Sequence, residues 1–134
     1  MKNPELLIVN AVIIQEGELL LLRKRNQFYW SFAGGKVDVN LGETNDKALM
    51  REVCTEELPG TKIISFKQFG VFSGITPNSK KSFRATVYLT NVKSPFLPGA
   101  EIEEVQFFKQ PEEIRYLSCT CRKIIQELRN NGLL

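Results

Sequence analysis

The sequence has no histidine, so a Cys/His zinc finger is excluded, and any general base has to be a carboxylate or a metal-bound water. Cysteine is sparse, with three residues at 54, 119 and 121 and no C-x-x-C pair. That odd count argues for free thiols in a reducing cytosol, and so for a cytoplasmic protein. Long apolar runs are missing too. The N-terminal run from Leu6 to Ile14 is interrupted by Asn10 and followed by Glu16 and Glu18. It falls far short of the ~20 residues a membrane helix needs, and no small-residue cleavage site follows, so neither a membrane partner nor export is expected. A strong charge of one sign is also lacking. The net +3 suits an anionic small molecule and is too weak to argue for nucleic acid.

What is present fits one domain, residues 1–134, large enough to bury a core without disulfides or structural metal. The stretch "ELLIVNAVIIQEGELLLLRKR" reads as two strands joined by a turn at Gln15-Glu16-Gly17-Glu18, and their near-continuous apolar character predicts cover on both faces. Gln27 to Val37 carries Phe28, Tyr29, Trp30 and Phe32 before Gly34-Gly35 and reads as a short strand entering a loop. A helix is predicted from Thr44 to about Leu58, capped by Thr44, favoured by Asp46 and stopped by Pro59-Gly60. Strands follow near 62–72, 82–92 and 104–108, then a helical turn from Pro111 to Ile114. A last helix, capped by Ser118 and ended by Asn131-Gly132, carries Ile124, Ile125 and Leu128. There is no internal repeat or linker. This order predicts an α+β fold, an α/β/α sandwich with a central mixed sheet and a helix on each face.

The first helix gathers carboxylates. At 3.6 residues per turn Glu56 lies about 40° round from Glu52, Thr55 about 60° to the other side, and Glu57 about 140° away, facing elsewhere. Like charges at i and i+4 repel by a few tenths of a kcal/mol on an isolated helix, whereas a bound divalent cation reverses that sign. Mg2+ or Mn2+ takes carboxylate, carbonyl and water oxygens together with substrate phosphates, and a glycine-rich approach leaves backbone groups free to come close. A solvated acidic face would also account for such a pair.

Together, Gly35, Glu43, Arg51-Glu52, Val53 and Glu56 resemble the Nudix hydrolase box, G-x5-E-x7-R-E-U-x-E-E-x-G-U, where U is a bulky aliphatic residue. Trp30 ahead of the double glycine, the "VQFF" strand and the chain length extend the resemblance over nearly the whole sequence. The pattern departs from the box in three places. Seven residues, not five, separate Gly35 from Glu43; Thr55 stands at the penultimate glutamate; and Leu58-Pro59 replaces the closing glycine pair, with Gly60 displaced. The loop insertion costs little, whereas Thr55 removes a charged ligand and should weaken metal binding.

The resemblance implies a Nudix-like fold and hydrolysis of the pyrophosphate bridge in a nucleoside diphosphate linked to another group, with Mg2+ or Mn2+. It implies Glu52 and Glu56 as catalytic metal ligands, the Gly35 carbonyl as a further ligand and Arg51 as an orienting partner. The insertion leaves Glu43 less fixed. Family members often supply a base from a later loop, where Glu101, Glu103 and Glu104 stand, and Glu52 is another candidate. Phe28, Tyr29 and Trp30 suit a nucleobase face or the core, while Arg23, Lys24, Arg25, Lys80, Lys81 and Arg84 suit phosphate or solvent. Cys54 is expected to be buried. The partner expected is a nucleotide-type small molecule, its identity open; a homodimer is allowed but carries no signature. A nucleotide-binding module that has lost catalysis through Thr55 is the alternative.

Overall fold

A computed structural model describes residues 4–76 and 79–134, so Pro77-Asn78 of the loop after the predicted 62–72 strand lie outside the described residues. Strands β1 (Leu6–Val12), β2 (Ile14–Gln15), β3 (Glu18–Lys24) and β4 (Ala33–Lys36) precede helix α1 (Asn45–Met50), which continues directly as a wider π-helical turn, Arg51–Glu57. Strands β5 (Lys62–Ile75), β6 (Ser82–Lys93) and β7 (Ile102–Phe108) follow, then helix α2 (Cys119–Asn130). Single 3-10 turns occupy Val39–Leu41 and Pro111–Glu113.

The strands form a mixed four-stranded sheet, β4-β1-β6-β5, and an antiparallel three-stranded sheet, β2-β3-β7. β1 runs parallel to β6 and antiparallel to β4. The predicted hairpin forms only at its tip, where Ile14 pairs with Leu19 around a turn with positive φ at Glu16 and Gly17. The rest of the first run belongs to the other sheet, because β1 pairs along its whole length with β6 instead.

Side-chain alternation explains why both runs are almost wholly apolar. Val9, Ala11, Leu20 and Leu22 meet Leu49, Val53 and Leu58 in one core. Val12, Leu19 and Leu21 meet Ile124, Ile125 and Leu128 of α2 in the other. All four leucines from Leu19 to Leu22 are fully buried, each contributing about 1.5–3 kcal/mol relative to exposure. The two helices thus cover opposite faces, as the sequence predicts.

Both helices start on hydroxyl caps. Thr44 accepts from the Lys47 N–H and Ser118 from the Cys121 N–H. The cysteines are free: Cys121 buried, Cys54 half-buried and Cys119 exposed. Trp30 packs edge-on against Phe108 at 4.9 Å in the α2-side core. No helix among the described residues is long and apolar enough to cross a membrane.

The second 3-10 turn is tied to α2 by Arg129, which bonds Glu112 through both Nε and Nη2, the latter at 2.9 Å. The guanidinium holds the Glu112 carboxyl below its ordinary value of 4.5. A carboxylate depressed in the fold stabilises above its unfolded pKa and loses that contribution as pH falls through the folded value. Glu112→Gln is therefore expected to cost a few tenths to about 1 kcal/mol at neutral pH, this being a partly exposed pair. The cost should shrink once pH drops below 4.5. Urea midpoints of both proteins across that range measure it, and a gap that widens toward acid contradicts the ion-pair reading.

Candidate functional site

The glycine approach is shaped by what lies on either side of it. Gly34 has φ +139°, and a Cβ there would collide with the Val9 carbonyl of β1. A Cβ on Gly35 would fall on the Glu52 carboxylate, so glycine lets that acid lie directly over β4. The two extra loop residues coil into the Val39–Leu41 turn, closed by Gly42 at φ +70°. Glu43 follows directly after that turn. Its carboxylate accepts the Asp38 N–H at 2.9 Å and a two-pronged contact from Arg51, Nε at 2.8 Å and Nη2 at 2.9 Å. The guanidinium first, then the Asp38 amide, hold its carboxyl down at about 2. Arg51 also reaches the Lys36 carbonyl with Nη2, and Glu52 and Glu56 with Nη1 at 2.8 and 2.9 Å.

The helix carrying these acids is not a regular α-helix. The Leu58 N–H reaches back five residues to the Val53 carbonyl at 3.0 Å, and a turn of this kind absorbs one surplus residue. The expectation that Glu57 faces elsewhere is therefore corrected. A turn one residue wider brings positions i, i+4 and i+5 to one side, and Glu57 is buried with Oε1 accepting the Gly34 N–H at 2.5 Å. Thr55 is exposed. With one residue inserted after Val53, Glu56-Glu57 matches the paired glutamates of the box pattern. The signal was legible: Val53 and Leu58, both apolar, stand five apart and not four.

Glu52, Glu56 and Glu57, with Lys24, Ala100, Glu101 and Ile102, line an acidic hollow of about 290 Å³. Burial pushes the Glu57 carboxyl up to about 7, against the pull of Lys24 and the Gly34 N–H. Glu52 is raised as well, by burial first, with Arg51 opposing. The late-loop candidates separate clearly. Glu103 is bound to Arg25 and Glu104 to Arg23, whereas Glu101 borders the hollow. Its loop is docked by the Gly99 N–H on the Glu57 carbonyl at 2.8 Å and by Arg25, whose Nε bonds the Ala100 carbonyl. A Cβ on Gly99 would strike the Glu56 carbonyl, so that approach needs glycine.

A second cavity of about 300 Å³ opens at Gly34-Gly35 and runs toward α2 past Tyr29, Phe83 and Thr120. Of the aromatic trio only Tyr29 borders it; Phe28 is exposed and Trp30, partly buried, packs against the α2-side core. Lys80, Lys81 and Arg84 are exposed and line neither cavity. Two larger hollows lie along β5, and the acidic group of the helix borders neither.

The donors in the acidic hollow are all oxygens, which suits a hard divalent cation. Glu57 Oε2 is buried without a hydrogen-bond partner among the described residues, the kind of atom a cation would satisfy. Among those residues no three acids are closed into a ligand cage, since the Arg51 Nη1 lies between Glu52 and Glu56.

A family model described as NUDIX domain matches residues 5–124. Among solved structures, the MutT NUDIX hydrolase from Burkholderia pseudomallei has a TM-score of 0.81 at 22% identity, covering 95% of this chain and 99% of its own. The NUDIX hydrolase from Nitrosomonas europaea has a TM-score of 0.77 at 17% identity, covering 96% and 90%. The NUDIX domain of Shewanella oneidensis NrtR, complexed with ADP ribose, has a TM-score of 0.73 at 15% identity, covering 98% and 90%. At such identities the likeness shows the fold alone. No curated protein matches the chain.

Because Thr55 faces solvent, Thr55→Glu is expected to shift stability by no more than about 0.5 kcal/mol and to bring no gain in Mn2+ uptake. Urea unfolding and Mn2+ titration calorimetry measure both. Markedly tighter Mn2+ binding would mean that position 55 is a vacated ligand site and the wide-turn register is wrong.

Proposed function

We propose, from the premise that this chain belongs to the NUDIX domain family, that it hydrolyses a phosphoanhydride bond in a nucleoside diphosphate linked to another group. The single observation that carries the reading is the buried Glu57 carboxylate, one oxygen without a partner among the described residues, gathered with Glu52 and Glu56 in one hollow. The Shewanella oneidensis domain complexed with ADP ribose supports a nucleotide-derived ligand on this fold.

Glu52, Glu56 and Glu57, with the Gly35 carbonyl, would hold Mg2+ or Mn2+. Such an ion neutralises pyrophosphate charge and acidifies a water. The remaining work falls to the chain. Among the described residues Glu101 borders the hollow without a fixed cationic partner of the kind that occupies Glu103 and Glu104. It is the carboxylate best placed to take the proton from the attacking water. Arg51 orients the acids, anchored by Glu43 and the Lys36 carbonyl. The half-buried cavity at Gly34-Gly35, with Tyr29 on its wall, would receive the nucleoside end. The reading as a module without catalysis rested on a carboxylate missing at Thr55, and Glu57 supplies that carboxylate.

Incubation with a panel of nucleoside triphosphates, sugar nucleotides, ADP-ribose and dinucleoside polyphosphates, with Mg2+ or Mn2+, tests the proposal. Glu56→Gln is expected to lower turnover by about 100-fold, with the melting temperature nearly unchanged because Glu56 is exposed. Glu101→Gln should lower kcat by about 10²–10⁴ with little change in KM. A fully active Glu56→Gln protein, or no release from any panel member by the wild type, contradicts the assignment.

A further inference from the structure

Three basic residues end β3, and strand alternation gives them different surroundings. Arg23 and Arg25 turn to β7 and its preceding loop, where Glu104 and Glu103 hold them. Lys24 shares the parity of Leu20 and Leu22, which pack in the core on the α1 side. Its ammonium stands 3.6 Å from Glu57 Oε2, close enough for Coulomb attraction but too far for a well-made hydrogen bond. Glu57 Oε2 accordingly has no hydrogen-bond partner among the described residues.

Lys24 is also the one residue among those described that lines both the acidic hollow and the second cavity. No carboxylate among the described residues borders the second cavity, and Lys36 adds another cation there. A lysine is a compact charge on a flexible stem and can change partner by rotation about its own bonds, which the doubly anchored Arg51 cannot do.

We infer that Lys24 has two alternative anionic partners: the buried Glu57 carboxylate, and a phosphate of a ligand whose nucleoside end occupies the second cavity. The inference rests on the hydrolase reading for the ligand's chemistry but is tested without turnover. At Glu57 the ammonium and a divalent cation compete for one carboxylate. At the boundary of the two cavities the same ammonium meets the diphosphate where it passes from one to the other. One side chain therefore weakens cation binding and strengthens ligand binding.

The test compares wild type, Lys24→Met, Lys24→Arg and Arg23→Met. Calorimetry measures Mn2+ affinity without nucleotide, and the affinities for ADP and inorganic pyrophosphate in EDTA. Lys24→Met is expected to bind both phosphate probes about tenfold more weakly and Mn2+ about tenfold more tightly, the effect of a single charge-assisted interaction. Lys24→Arg should keep the affinity for the phosphate probes. Arg23→Met makes the same change of net charge on the opposite side of the strand and should move neither affinity. Circular dichroism confirms the fold of each variant.

Opposite shifts in the two affinities support the inference. Unchanged phosphate affinity in Lys24→Met overturns it, as does unchanged or weaker Mn2+ affinity. Equal effects from Arg23→Met would reduce it to net charge, and a wild type that binds neither phosphate probe overturns it as well. A wild type that gives the opposite shifts yet hydrolyses nothing on the substrate panel would refute the proposed reaction and leave the role of Lys24 standing.

Discussion

A helix packed on a sheet cannot absorb a surplus residue by turning its whole length, because its buried stripe is fixed at both ends. Here the fixed points are Leu49, Val53 and Leu58, all fully buried in the core beneath β1 and β3. Regular α-geometry would carry Leu58 off that stripe, at a cost of about 1.5–3 kcal/mol for an exposed leucine. Widening one turn keeps all three inside, and the Val53 carbonyl reaches Leu58 in place of its usual partner. The same widening rolls Glu57 inward toward Gly34, so apolar packing determines where the third acid points.

How much of this could be read beforehand follows the same physics. The two-faced strands were legible, because four consecutive leucines have no other stable home in a sheet. So were both helix caps and the Glu43–Arg51 spacing, since local patterns impose them. Glu57 was missed because its angle was reckoned at 3.6 residues per turn, the one assumption the surplus residue breaks. The pairing of β1 with β6 and not with β3 is long-range, and no local pattern encodes it. Glu101, Glu103 and Glu104 could not be told apart until the register was known. The shift between Arg23 and Lys24 pairs Lys24 with Ile102 and leaves Glu103 without a partner across the ladder.

The three clustered acids are compensated by two cations of different kinds. Arg51 is held by Glu43 and the Lys36 carbonyl before it touches Glu52 and Glu56. Its planar fork fixes it against those two acids. Lys24 is a single charge at a distance, set against an acid whose carboxyl burial pushes up to about 7. A carboxylate buried this deeply, with one oxygen lacking a hydrogen-bond partner among the described residues, is costly in a protein selected for stability alone. Its retention beside a half-exposed lysine is better explained by what the acid does when it acquires a stronger partner.

The wide turn also reaches beyond its own helix. By ending at Glu57 it leaves that residue's carbonyl free, and the Gly99 N–H takes it. Arg25, already paired with Glu103, adds a bond to the Ala100 carbonyl from the other side. The loop is thus pinned at two consecutive residues immediately before Glu101, although it belongs to no helix or strand. A side chain one residue beyond two such anchors has little backbone freedom left, so much of the cost of ordering it is met in folding. The surplus residue, which by spacing alone takes an acid away from the helix face, therefore brings one into the hollow and helps to fix the loop that carries another.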